Sequence, residues 1–96
     1  MHIPVFSVDF NEMVDEQTVL FSKHDQRMDI EGVWHSVFEG MPVRLMMEDA
    51  NADGERDDLL AEGVVIKNHF SDWSAHVKWC CRINEQGIRS RSELTD

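Results

Sequence analysis

The residues from Ser74 to Ile83 read SAHVKWCCRI, and their spacing limits the fold more than any other stretch. Ala75, Val77, Trp79, Cys81 and Ile83 fall on one parity; His76, Lys78, Cys80 and Arg82 fall on the other. A period of two is the strand period, so this segment predicts a strand packed on one face. Neighbouring segments agree. AEGVVIKNHF, from Ala61, is rich in β-branched residues, and Gly63 near its start marks a bend or bulge. MPVRLMME, from Met41, alternates Met41, Val43, Leu45 and Met47 with Pro42, Arg44, Met46 and Glu48. HIPVFSV, TVLFS and GVWHSVFEG are short apolar runs of strand length, and GIRSRSEL fits a last short strand. Asp9 and Glu12 have capping-box spacing, which predicts one short helical turn near residues 9–16. No long helical period follows, so helix-rich and parallel α/β folds are disfavoured.

Glu31-Gly32, Glu39-Gly40, Asp53-Gly54 and Gln86-Gly87 punctuate these runs. Each places glycine where a turn requires positive φ. The expected fold is all-β: a small bent antiparallel sheet or barrel in one domain over residues 1–96. Residues 1–39 are expected to supply N-terminal strands and a hairpin, and residues 40–94 a barrel-like core.

Residues 40–94 carry GMPVRLMM, LLAEGVVIKN and SAHVKWCCRINEQGIRSRSEL in succession. In strand order and spacing this stretch resembles a small SH3-like or Tudor-like barrel. AEGVV resembles the second strand of such modules, and VKW with GIRSRSEL their paired third and fourth strands. The resemblance implies binding to peptides, nucleic acids or other proteins. No ligand-binding aromatic of those families can be matched here. The chain is also similar in kind to bacterial mobile-element products such as integron-cassette proteins.

Charge narrows the partners. Nine Lys or Arg face nineteen Asp or Glu, a net charge of −10. Phosphate neutralisation drives nucleic-acid affinity, so this balance argues against a nucleic-acid partner. The bases are unevenly placed: Lys67, Lys78, Arg82, Arg89 and Arg91 lie in residues 64–91, where Asp72 and Glu85 are the only acids. No run approaches the roughly 20 apolar residues of a membrane span. The N-terminus lacks the basic start and apolar stretch of a secretion signal, which predicts a cytoplasmic protein. Cys80 and Cys81 are adjacent and make no disulfide framework, in keeping with reduced thiols.

Asp49, Asn51, Asp53 and Gly54 reproduce the D-x-N-x-D-G opening of a calcium loop, with Asp57 at the ninth position. The twelfth position is Leu60, which cannot coordinate, and the eighth is Arg56, a cation. The EF-hand reading fails. A solvated acidic turn is preferred, with a looser Ca²⁺ site through Asp49, Asn51, Asp53 and Asp57 as the alternative. His69, His76, Cys80 and Cys81 suggest zinc. Positions 76 and 80 of one strand would stand about 13 Å apart, too far to share an ion. Phosphate-loop, nucleophile-elbow and H-E-x-x-H motifs are missing, which favours a binding module over an enzyme.

The expected function is therefore a non-enzymatic binding or protein-interaction module. Its contact surface is expected to combine Phe70 and Trp73 with Lys78, Arg82, Arg89 and Arg91. Arg82 and Arg89 would become neighbours if INEQG joins two paired strands. The partner is expected to be another protein or a second copy in a homodimer. A pocket-bearing small-molecule or catalytic domain, and an acidic nucleic-acid mimic, are the alternatives.

Overall fold

A computed structural model describes residues 3–50, 52–69 and 75–94. Within them the protein is all-β. In chain order the strands are β1 (Val5–Ser7), β2 (Thr18–Ser22), β3 (Gln26–Met28), β4 (Trp34–Ser36), β5 (Pro42–Met47), β6 (Leu59–Lys67), β7 (Trp79–Ile83) and β8 (Arg89–Ser90). A short 3₁₀ turn, Arg91–Leu94, follows.

Six strands form one curled sheet. Its path is β1-β5-β6-β7-β2, and β8 also pairs with β6. β3 and β4 form a separate antiparallel hairpin. β5, β6 and β7 make an antiparallel meander, as their alternation predicts. One pairing departs from the antiparallel expectation: β1 runs parallel to β5, with Phe6 opposite Leu45. The residues between them are enough for the crossover that parallel strands require.

The concave face of the sheet holds the core. Phe6, Val19, Val43, Leu45, Val65 and Cys81 are almost fully buried there. Phe6 and Phe21 meet edge to face with ring centroids 5.0 Å apart, bringing β1 and β2, the ends of the path, together. β1 and β2, from the N-terminal forty residues, are thus part of the main sheet, and Phe6, Phe21 and Val37 are part of its core. On the other face Leu20, Val77 and Cys80 form a smaller buried cluster, with Val14 and Ile66 packed on it.

Four details correct the sequence reading. β7 begins at Trp79 and not at Ala75: residues 75–76 form a turn, and Val77 joins the outer cluster. Asn68 holds that bend, its amide donating to the Val77 carbonyl at 2.8 Å. Residues 9–16 are not helical; the Asp9 carboxylate accepts from Asn11 N instead, closing an Asx turn. β3 has no apolar alternation and gave no strand signal. The fourth correction concerns β7 and β8. They are not a paired hairpin but lie in line along the same edge of β6, at Gly63–Lys67 and Leu59–Leu60 respectively. Residues 84–88 bulge out where β6 supplies only 61–62. Arg82 therefore opposes Val64, and Arg89 opposes Leu60.

Gly63 has a steric role at this crossing. A Cβ there would overlap the Arg82 carbonyl oxygen of β7. The glycines of the four expected turns all adopt positive φ, from 70° at Gly87 to 90° at Gly40. Among the described residues no helix is long and apolar enough to cross a membrane.

Candidate functional site

Asp29 builds the most exposed element. One carboxylate oxygen accepts the amides of Glu31 at 2.8 Å and Val33 at 3.0 Å, which closes the turn from β3 to β4. The other meets His35 Nε2 at 2.7 Å. The His35 ring beside it, with those two amides, holds the Asp29 carboxyl below the usual carboxylate range. Strand alternation then sorts the hairpin's faces. Arg27 and His35 are paired and point inward: the Arg27 guanidinium lies 4.6 Å from the Phe21 ring centroid, and His35 packs edge-on against Phe6. Arg27 also donates to the Ser7 carbonyl.

Met28 and Trp34 are the next pair out, and they face away from the core. Trp34 is 61% exposed, Phe38 56%, Ile30 51%, Val33 50% and Met28 44%. Met28 and Trp34 share the lining of a shallow shelf with Lys23 and His24. Asp25, Glu31 and Glu39 are exposed on the same segment. A patch of large apolar side chains on one hairpin is a recognition feature when it is contiguous.

The second concentration lies on the convex face. A cavity of about 420 Å³ opens between β1, β5, β6 and the 84–88 bulge. Its apolar walls include Val5, Met46 and Leu60, and its polar ones Arg44, Glu62, Asn84, Arg89 and Arg91.

The residues singled out by sequence divide three ways. Phe70 and Trp73 lie outside the described residues, as does Asn51. Lys78 and Arg82 are engaged elsewhere: Lys78 Nζ pairs with Asp25 at 2.7 Å, and Arg82 borders a hollow with Asp15 and Glu16. Lys78 and the Trp79 indole, which donates at 3.0 Å, together depress the Asp25 pKa. Arg89 and Arg91 do come together, and Arg44 joins them from β5.

In the acidic loop, Ala50 bridges to Arg56 and Asp57 N donates to the Asp49 carbonyl at 2.8 Å. Asp57 turns toward the C-terminus, where its two oxygens accept from Ser92 N at 3.0 Å and Ser92 Oγ at 2.8 Å. Those bonds engage both Asp57 carboxylate oxygens with Ser92. Among the described residues no group of three or more His, Cys, Asp or Glu could hold a metal ion. Both cysteines are buried, on opposite faces of β7. Burial pushes the Cys80 thiol up to about 11 and raises Cys81 still further.

The chain matches no protein-family model, no curated protein and no solved structure.

Proposed function

We propose that this protein is an interaction module that docks a partner protein through the β3–β4 hairpin, with Trp34 as the central contact. The exposure of Trp34, next to Met28 and on the same hairpin as Ile30 and Val33, carries the reading. An isolated solvated tryptophan would bury little, but a cross-strand Met–Trp pair presents a continuous apolar surface. Tryptophan is also the residue most enriched among interface side chains that dominate binding energy.

Charge selects the partner. The chain carries −10, and Glu31 and Glu39 are exposed on the same segment as the patch. Two copies would repel each other, so the fitting occupant is a protein with an apolar pocket rimmed by Lys and Arg. Of the two partners expected from sequence, another protein or a second copy, this reading takes the first.

The experiment has two parts. Sedimentation velocity of the full chain at low salt is expected to show a monomer; a dimer lost on Trp34→Ser would reassign the patch to self-association. A partner isolated from cell extract, then purified, is expected to bind the wild type with salt-sensitive affinity. Trp34→Ser should weaken it about 30-fold, in line with a hot-spot loss of about 2 kcal/mol. A purified partner indifferent to Trp34→Ser and Met28→Ser would overturn the proposal.

A further inference from the structure

We infer that the convex-face cavity is a binding site for a small organic anion with an apolar body. Its volume of about 420 Å³ lies within the range of small-molecule sites. The lining residues include three arginines, Arg44, Arg89 and Arg91, and one acid, Glu62. Such an excess of positive charge runs opposite to the −10 of the whole chain.

How the three arginines are engaged makes the case. Arg44 meets Glu62 through one long contact at 3.7 Å. Arg91 reaches Asp58 at 3.6 Å, but Asp58 is already bonded at 2.9 Å to Arg56. Arg89 is half-buried, and its guanidinium donates to the neutral Gln86 side-chain oxygen at 3.0 Å. Among the described residues it meets no carboxylate. A half-buried cation paired, among the described residues, with an amide oxygen alone keeps donors that an anion would accept. A guanidinium offers the planar fork that carboxylate and phosphate oxygens accept in pairs.

The floor specifies the rest of the ligand. Arg89 stands opposite Leu60 on β6, and Leu60 stands opposite Met46 on β5. Antiparallel partners share a face, so the three side chains form one row across the convex surface. Met46 is only 9% exposed although it points away from the core. Val5 and Ile30 close the apolar side. A free inorganic ion would leave that floor unused. An anionic head on an aliphatic or aromatic body fits both halves.

The test uses the full chain and four probes: 3-phenylpropionate, phenyl phosphate, inorganic phosphate and 3-phenylpropylammonium. Calorimetry should give saturable one-to-one binding for at least one organic anion, and the stronger of the two distinguishes a carboxylate from a phosphate head. Amide shifts should centre on Leu60, Asn84, Gly87 and Arg89. Inorganic phosphate and the ammonium should bind at least tenfold more weakly. Arg89→Gln should reduce organic-anion affinity at least tenfold, and Lys67→Gln, which removes an exposed cation outside the lining, should leave it unchanged. If Arg89→Gln does not fold, the exposed Arg44→Gln carries the comparison with a smaller expected loss. Equal binding of ammonium and anion, no binding of either organic anion, shifts centred elsewhere, or affinity unaffected by both arginine changes would overturn the inference.

Discussion

Asp58 is an acid with 3% of its surface exposed, and its neighbours explain why it remains charged there. Arg56 Nε lies 2.9 Å from one of its oxygens and Arg91 3.6 Å from the other. A buried carboxylate tolerates ionisation only with such partners. The Arg56 side chain, its strongest contact, holds its pKa below the ordinary value of 3.8. A folded-state pKa below the unfolded one gives stability that is fully present above the unfolded pKa. That stability is lost as pH falls from about 4 through the folded value. The urea midpoint should therefore be flat above pH 5 and decline below pH 4. Asp58→Asn should lower the midpoint at pH 7 and flatten part of the acid decline. Asp25 and Asp29, also depressed, account for a further share. An Asp58→Asn protein with the wild-type acid slope would show that this carboxylate contributes nothing to it. At this scale the sequence was partly legible. The positive φ at Gly32, Gly40, Gly54 and Gly87 follows from local turn chemistry. The pairing of Asp58 with Arg91 is non-local, and no spacing rule announces it.

The β6–β7–β8 arrangement shows the next scale. Alternation located β7 correctly from Trp79 onward, and INEQG was correctly a turn with its glycine at φ 70°. A turn between two strands does not require those strands to pair, however. Here β6 is nine residues long and offers one edge to both β7 and β8. Asn84 N donates to the Glu62 carbonyl at 2.8 Å, so the bulge stays anchored to β6. Gly63 lets β6 and β7 approach at this junction. Gly63→Ala forces a backbone shift between two paired strands, an overpacking expected to cost about 3 kcal/mol. Gly54→Ala meets open space and is strained only by its φ of 81°, with an expected cost nearer 1 kcal/mol. Urea denaturation of the two variants checks the order. Equal costs would mean that the β6–β7 junction relaxes freely.

For the whole molecule, the curl of the sheet produces two apolar compartments separated by β7. Cys81 lies in the main core with Trp79 and Ile83, and Cys80 in the outer cluster with Leu20 and Val77. Both thiols have 0% exposure, and burial raises both pKa values, so neither provides an appreciable thiolate near neutral pH. Labelling by a disulfide reagent should then report opening of the fold. With a typical domain stability of at least 5 kcal/mol, native rates are expected about a thousandfold or more below those in denaturant. The two thiols should become reactive over the same urea range. Rapid reaction of one thiol without denaturant would show that the outer cluster opens independently of the main core. The β3–β4 hairpin lies outside the six-stranded sheet, and its outer face carries no layer of the described residues.

The all-β class, the positions of β2 and β5, the four glycine turns and the burial of Trp79 and Cys81 are legible in the order of residues alone. These depend on side-chain parity and turn chemistry within a few residues, where the backbone geometry leaves few choices. The sequence did not reveal the exposed face of GVWHSVFEG. Val33, Trp34, Val37 and Phe38 occupy both parities, so a period of two cannot say which side meets the core. Tertiary structure decided that: the Asp29–His35 contact and the inward packing of Arg27 and His35 turn Trp34 outward. It also decided the basic cavity. Arg44, Arg89 and Arg91 come from β5, β8 and the final turn, and Lys78 and Arg82, closer to Arg89 in the chain than Arg44 is, stay outside its lining. Which strands share an edge is a property of the whole curled sheet. It is set by the burial of Phe6, Leu45, Val65 and Cys81 together, and no local segment carries it.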